Sequence, residues 1–130
     1  MSLVLTVREG TLEDIKHLKP LAQKERVPIK PTKSEVKYLV GERDGRVIGF
    51  VGYSISGNKA RLKSDFVHPN YRGQGIYKML FKSRLCILLE QGVIQFSAYC
   101  TNLSVGQYIA EGFTVQNKST NGIVYVTKEV

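Results

Sequence analysis

Tryptophan is absent from this 130-residue chain, cysteine and histidine occur only twice each, and no apolar run reaches the ~20 residues of a membrane-spanning helix. Two cysteines, Cys86 and Cys100, are too few for a disulfide framework. With histidine only at positions 17 and 68, no zinc-ligand spacing arises and no metal site is expected. Cys86 lies in an apolar helical run and reads as a small buried hydrophobe. The opening MSLVLTVREG lacks the basic flank, long apolar stretch and cleavage site of a signal peptide, which makes the cytoplasm the expected location. Acidic residues are scarce as well: 11 against 19 lysines and arginines, a formal charge of +8 that favours an anionic partner, either nucleic acid or a phosphorylated small molecule. Repeats and low-complexity stretches are missing. What remains, 42% hydrophobic and 23% charged, is the composition of an ordinary globular protein, and the length suits one domain over residues 1–130 with a single core.

Val4 to Arg8 alternates apolar and polar residues as a half-buried strand does. Thr11-Leu12-Glu13-Asp14 is a capped helix start, with Ile15, Leu18 and Leu21 or Ala22 as its apolar stripe and Pro20 as a kink or an early end. Lys24 to Lys37, bearing prolines and lysines, reads as a loop with at most one short helix. Strands at Tyr38–Arg43 and Arg46–Ile55 flank the hairpin signal Asp44-Gly45, and Gly57-Asn58 turns into a third strand, Lys59–Val67. A helix is expected from Gly75 to Gln91, burying Ile76, Met79, Leu80, Ser83 and Ile87 and ending at Gly92 in the left-handed conformation. A strand at Val93–Tyr99, a helix at Asn102–Glu111 and a hairpin of Phe113–Val115 with Ile123–Val126 complete the chain. The strand, helix, strand unit from Leu62 to Tyr99 requires two parallel strands.

The segment HPNYRGQGIYKML, His68 to Leu80, sets an arginine and two glycines where that third strand gives way to the long helix. A helix N-terminus carries unpaired N–H groups and a partial positive charge, so a turn entering it binds an anion through the backbone. Gly73 and Gly75 permit unusual dihedrals and close approach of a phosphate, and Arg72 adds a fixed positive fork. The stretch lacks the Lys-Ser/Thr ending of the nucleotide P-loop and the third glycine of the dinucleotide fingerprint.

Val67-His68-Pro69-Asn70-Tyr71-Arg72-Gly73-Gln74-Gly75-Ile76-Tyr77 resembles motif A of the GNAT superfamily of N-acetyltransferases, Arg/Gln-x-x-Gly-x-Gly/Ala after a strand. The order of elements and Tyr108-Ile109-Ala110-Glu111-Gly112-Phe113 resemble the family too. The resemblance implies an α+β fold: a central mixed, mostly antiparallel sheet of six to seven strands with helices on both faces, splayed between the Lys59–Val67 and Val93–Tyr99 strands. It implies acetyl-CoA as cosubstrate, held by Phe66, Val67, Arg72, Gly73, Gln74, Gly75, Ile76, Tyr77 and Asn102, with the thioester carbonyl polarised by a backbone N–H near Phe66 or Val67. Tyr108 takes the position of an acid that protonates the coenzyme thiolate. Three positions depart from the family. Tyr77 stands where a small residue is usual, so its ring should point aside or stack on the cofactor. Arg61 stands where some relatives carry a glutamate base, and the usual asparagine falls one place late, at Asn102.

The implied function is N-acetyltransfer from acetyl-CoA to a primary amine by direct attack in a ternary complex. Alternatives are an acyl-CoA-binding sensor without turnover and, less favoured, a basic nucleic-acid-binding domain. A homodimer is compatible with either, and a membrane partner is not expected. Asp65 alternates with Phe66 and faces either the acceptor or solvent. Glu42 is either a proton relay or an exposed strand carboxylate. His17 is expected at the surface, His68 in an exposed turn and the lysines from Lys16 to Lys37 on a solvated face.

Overall fold

The computed structural model describes residues 4–27, 29, 36–118 and 121–130. Thr11 opens α1 (Leu12–Ile15) with a capping box: its side chain accepts the Asp14 N–H and the Asp14 carboxylate accepts the Thr11 N–H. A single 3-10 turn (Lys16–Leu18) follows, then α2 (Lys19–Lys24) with Pro20 in its first turn. Pro20 therefore starts a helix instead of ending one, since its missing N–H would find no partner in a first turn anyway. Most of the expected loop before Lys37 lies outside the described residues.

The strands are β1 (Thr6–Gly10), β2 (Lys37–Arg43), β3 (Arg46–Ser56), β4 (Lys59–Val67), β5 (Gln95–Thr101), β6 (Thr114–Lys118) and β7 (Ile123–Glu129). They form one mixed sheet in the order β1-β2-β3-β4-β5-β7-β6. The β4–β5 pair is parallel, because α3 (Ile76–Glu90) crosses over between them, and the other pairs are antiparallel. α4 (Val105–Ala110) follows β5. On one face α1, the 3-10 turn and α2 bury Ile15, Leu18 and Ala22 against Val40, Phe50 and Phe66. On the other, α3 and α4 bury Leu80, Phe81, Leu88 and Tyr108 against Leu39, Leu62, Phe96 and Val126. The expected mixed sheet with helices on both faces is thus the fold, at seven strands.

Boundaries differ from expectation at β1, at β5, which begins two residues late, and at α4, which begins at Val105. The buried face of α3 is also rotated from the expected one: Ile76, Leu80, Phe81, Arg84, Leu85 and Leu88 are inside, whereas Met79 is 47% exposed. Apolar residues surround this helix, so periodicity alone did not orient it. Cys86 is exposed as a result, its thiol facing Glu90, and Cys100 is the buried cysteine. No described helix is long and apolar enough to cross a membrane.

Two features position the site. The β4–β5 ladder ends at Leu62↔Ala98, after which the strands diverge. At that point β4 also bulges: Phe50 pairs with Phe66 but Gly52 with Lys63, so Ser64 and Asp65 together oppose Val51, with Ser64 at φ +60°. Gly52 permits the close approach, since a Cβ there would lie 2.8 Å from the Lys63 carbonyl oxygen. Simple alternation from Ala60 and Leu62 would send Ser64 and Phe66 to the α3 face. The bulge reverses this, so Phe66 joins the α1–α2 core and Val67 the α3 core. Asp65 turns to α3 with Val67.

Candidate active site

β4 ends at Val67 and passes into a 3-10 turn (Pro69–Tyr71) capped by His68, whose Nδ1 accepts the Asn70 N–H at 3.1 Å. His68 is thereby half-buried and not the exposed turn residue expected. Gly73 and Gly75 have φ of +78° and +79°, with nothing within 4 Å of a Cβ added at either, so the dihedrals and not lack of space at that atom call for glycine. Gly75 caps α3 without a side-chain hydrogen bond, leaving the first N–H groups of a 15-residue helix directed at whatever occupies the cleft beside them.

That cleft, about 330 Å³, lies between the end of β4, the start of α3 and the start of α4. Of the residues the sequence nominated for the cofactor, Phe66, Val67, Arg72, Gly73, Gly75, Ile76 and Tyr77 line it. Two do not. Gln74 is exposed and accepts a hydrogen bond from Arg43 Nη1 at 2.7 Å, and Asn102 is exposed between the lining residues Thr101 and Leu103. Arg72 donates from Nε to the Val67 carbonyl oxygen at 2.9 Å and from Nη2 to Glu25 Oε1 at 2.5 Å, lying over the Phe66 ring. Glu25, at the end of α2, has no signal in the sequence. It sets a carboxylate on the arginine of the glycine turn.

Behind the cleft is a buried polar cluster. The Asp65 carboxylate receives Arg84 Nη1 on Oδ1 at 2.5 Å and Nη2 on Oδ2 at 3.0 Å. The same Oδ2 accepts from the Tyr77 hydroxyl at 2.6 Å and from the Tyr108 hydroxyl at 2.7 Å. Arg84 also donates to the Gly52 carbonyl oxygen at 3.0 Å and stacks on Phe81. Its side chain is fully buried and that of Asp65 is 6% exposed. Burial opposes the Arg84 charge, but the Asp65 charge and hydrogen bond together with Tyr108 and Tyr77 outweigh it and raise the guanidinium's pKa. Burial and then the Asp65 charge push both phenols well above 10, so both hold their protons. Tyr77 reaches this cluster from the cleft wall and so points aside, one of the two orientations expected for it.

Tyr108 lies deeper. Its side chain is 1% exposed and lines a second cavity of about 40 Å³, which shares Asp65, Thr101 and Ser104 with the cleft. Glu42, the other carboxylate considered, binds Arg8 at 3.3 Å and does not line the cleft. His17 is a surface residue whose Nε2 lies 2.9 Å from the Val47 carbonyl oxygen. Sequence reasoning missed Arg84, although a signal existed: Ile76, Leu80, Arg84 and Leu88 recur at four-residue spacing, which sets an arginine in a core row.

The model of the Acetyltransferase (GNAT) family matches residues 10–105. A Bacillus subtilis (strain 168) protein provisionally assigned as a [ribosomal protein bS18]-alanine N-acetyltransferase is 33% identical over 60 residues, 46% of this chain and 40% of that protein. The match thus spans about two fifths of that relative's length. Among solved structures, the PaiA N-acetyltransferase of Thermoplasma acidophilum in complex with coenzyme A superimposes with a TM-score of 0.80 at 18% identity, over 98% of this chain and all of that one. The ribosomal-protein-S18-alanine N-acetyltransferase of Escherichia coli gives 0.81 at 15% identity, over 98% and 94%. These likenesses establish the fold, and the family match covers most of the chain, including the glycine turn, the bulged strand and Arg84. The chain belongs to the GNAT family of acetyltransferases.

Proposed function

We propose that this chain is an acetyl-CoA-dependent N-acetyltransferase, a single domain that moves an acetyl group onto a primary amine by direct attack in a ternary complex. The observation that carries the reading is the glycine turn with Arg72 at the head of α3, opening on the cleft beside the β4–β5 divergence. The pyrophosphate sits on the N–H groups of Gly73 to Tyr77, with Arg72 and Lys78 supplying charge. The pantetheine arm runs along β4, and the thioester carbonyl is polarised by a backbone N–H at Phe66 or Val67. An amine that arrives deprotonated and held beside the thioester attacks without a strong base, so proximity supplies much of the rate. Tyr108 is the source of the proton that the coenzyme sulfur finally carries.

A second reading, acyl-CoA binding without turnover, draws on one observation: Tyr108 is buried outside the main cleft with its hydroxyl proton committed to Asp65. The two are separated by free-thiol release from acetyl-CoA with a panel of amines that includes a peptide with N-terminal alanine. Amine-dependent thiol release at a rate well above the enzyme-free control is expected. Tight acetyl-CoA binding with no release on any amine would select the sensor.

A further inference from the structure

The cleft beside β4 passes from one face of the sheet to the other. Ile76, Tyr77 and Gln107 wall it on the side of α3 and α4, and Glu25 and Val27 wall it at the end of α2. A cofactor held by the head of α3 enters from the α3 side, which leaves the α2 side for an acceptor, with nitrogen and thioester meeting in the same space at the strand divergence. Arg26 stands at this second mouth at φ +62° and donates from Nη1 to the Asn121 carbonyl oxygen at 2.7 Å. Beyond it the sheet face is open. Tyr99 is 61% exposed there, because its neighbours Ala98 and Cys100 turn to the α3 core, and it packs on Tyr125 with ring centres 4.7 Å apart. Arg61 of β4 lies over the Tyr99 ring at 5.9 Å. The carboxylates of the cleft are already taken, Asp65 by Arg84 and Glu25 by Arg72. Among the described residues no carboxylate pairs with Arg26 or Arg61, and both are exposed.

We propose that the acceptor amine is carried on an acidic peptide segment, selected by Arg26 and Arg61 at the α2 mouth of the cleft. The inference rests on the acetyltransfer reading above and names the class of acceptor. Neither arginine lines the cleft itself. A carboxylate bonded to the amine's own carbon, as in a free amino acid, stays in the cleft with the amine. One carried a residue or two further along an extended chain, at ~3.3–3.6 Å per residue, comes out at the mouth beside the two guanidinium groups. Tyr99 supplies a flat, apolar shelf next to Arg61 for the stems of such side chains. The same charges, part of a formal +8, work against lysine-rich acceptors, because like charges facing each other across an interface cost affinity.

The test uses the whole chain with acetyl-CoA and two sets of peptides, one with a free N-terminal alanine and one blocked at the N-terminus with a single lysine. Each set has a version with Asp and Glu beside the reacting residue, one with Asn and Gln, and one with Lys. In at least one set kcat/KM should be at least ~5-fold higher on the acidic version than on the amide version, mainly through KM, and lowest on the lysine version, with the preference shrinking as salt rises. Arg26→Gln keeps an amide donor for the Asn121 carbonyl. In it and in Arg61→Gln the acidic-over-amide ratio should fall by up to roughly fivefold, the most an exposed charge pair contributes, and Arg26→Glu should lower it further. Unfolding midpoints show that the variants are folded. Equal rates on acidic and amide versions in both sets, a faster lysine version, free glutamate faster than every acidic peptide, or a ratio unchanged in all the variants would overturn this inference and leave acetyltransfer standing. Thiol release with none of the amines would overturn the acetyltransfer reading, and the inference with it.

Discussion

The proposed anion cradle and the buried cluster lie on either side of Tyr77 and are built on opposite principles. The cradle, Arg72 to Tyr77, is contiguous in sequence, largely exposed and made of backbone: two left-handed glycines and a helix end. The cluster gathers Asp65, Tyr77, Arg84 and Tyr108 from β4, two positions about two turns apart on one face of α3, and α4, and it is made of side chains with almost no access to water. The difference teaches where each kind of change should be felt. Damage to the cradle should alter ligand affinity and leave the fold standing, whereas damage to the cluster should alter stability first, because a buried charge without its partner is costly.

The largest effect is therefore expected from Arg84→Met. It leaves the Asp65 carboxylate buried without its cation and should reduce unfolding free energy by ~3–5 kcal/mol, the range for breaking a buried ion pair from one side. Urea denaturation measures it. Asp65→Leu with Arg84→Met should recover much of the loss, since an apolar pair leaves no orphaned charge. A single variant within experimental error of wild type would mean that Asp65 is wetter than its position implies.

The cradle comes next. Arg72→Ala removes a charge-assisted hydrogen bond worth ~1.5–3 kcal/mol, so acetyl-CoA affinity should fall by roughly 10- to 150-fold with little change in the unfolding midpoint. In Gly75→Val the Cβ meets no neighbour, but a β-branched residue is held at φ +79°, a strain of ~1–2 kcal/mol in the fold in addition to its obstruction of the ligand. If stability falls more than affinity in Arg72→Ala, the contrast between the two regions fails.

Glu25→Gln should act in the opposite sense and more weakly. The Glu25–Arg72 pair is partly exposed, and such pairs contribute at most ~1 kcal/mol, so freeing Arg72 should tighten acetyl-CoA binding by no more than about fivefold. Weaker binding would make Glu25 an orienting partner of Arg72 instead of its competitor.

The smallest effect sharpens the contrast between buried and exposed pairs of the same chemistry. Arg8 and then the Thr11 backbone hold the Asp14 carboxyl down at about 2, below its ordinary 3.8. A folded pKa below the unfolded one gives stability that is present above the unfolded value and lost as pH falls toward the folded one. An Arg8→Gln variant should thus lose a little stability at neutral pH and converge on wild type below pH 2. Persistence of the gap at low pH would assign the loss to packing.

How much of this was legible follows from the same contrast. The cradle could be read because its chemistry is local: an arginine, two glycines and a strand-to-helix junction within a dozen residues. The meander, the parallel crossover and Gly92 as the end of α3 were legible for the same reason, each being signalled by neighbouring residues. The orientation of Asp65 was not, because it depends on a bulge that reverses the alternation of β4 and is admitted by Gly52 on another strand. Arg84 was hidden by an assumption, that charges on a helix face water, and Cys86 by the same rotation of α3 that buried Arg84. Glu25 approaches Arg72 from 47 residues away, beyond any local pattern.

The central claim is that the turn at Arg72 to Tyr77 holds acetyl-CoA in the cleft beside β4. Calorimetric titration of the wild-type chain, Arg72→Ala and Gly75→Val with acetyl-CoA tests it most directly. Saturable one-to-one binding by the wild type, weakened at least ~10-fold in both variants while their unfolding stays cooperative, is the predicted result. No binding at millimolar acetyl-CoA, or folded variants that bind as the wild type does, would contradict it.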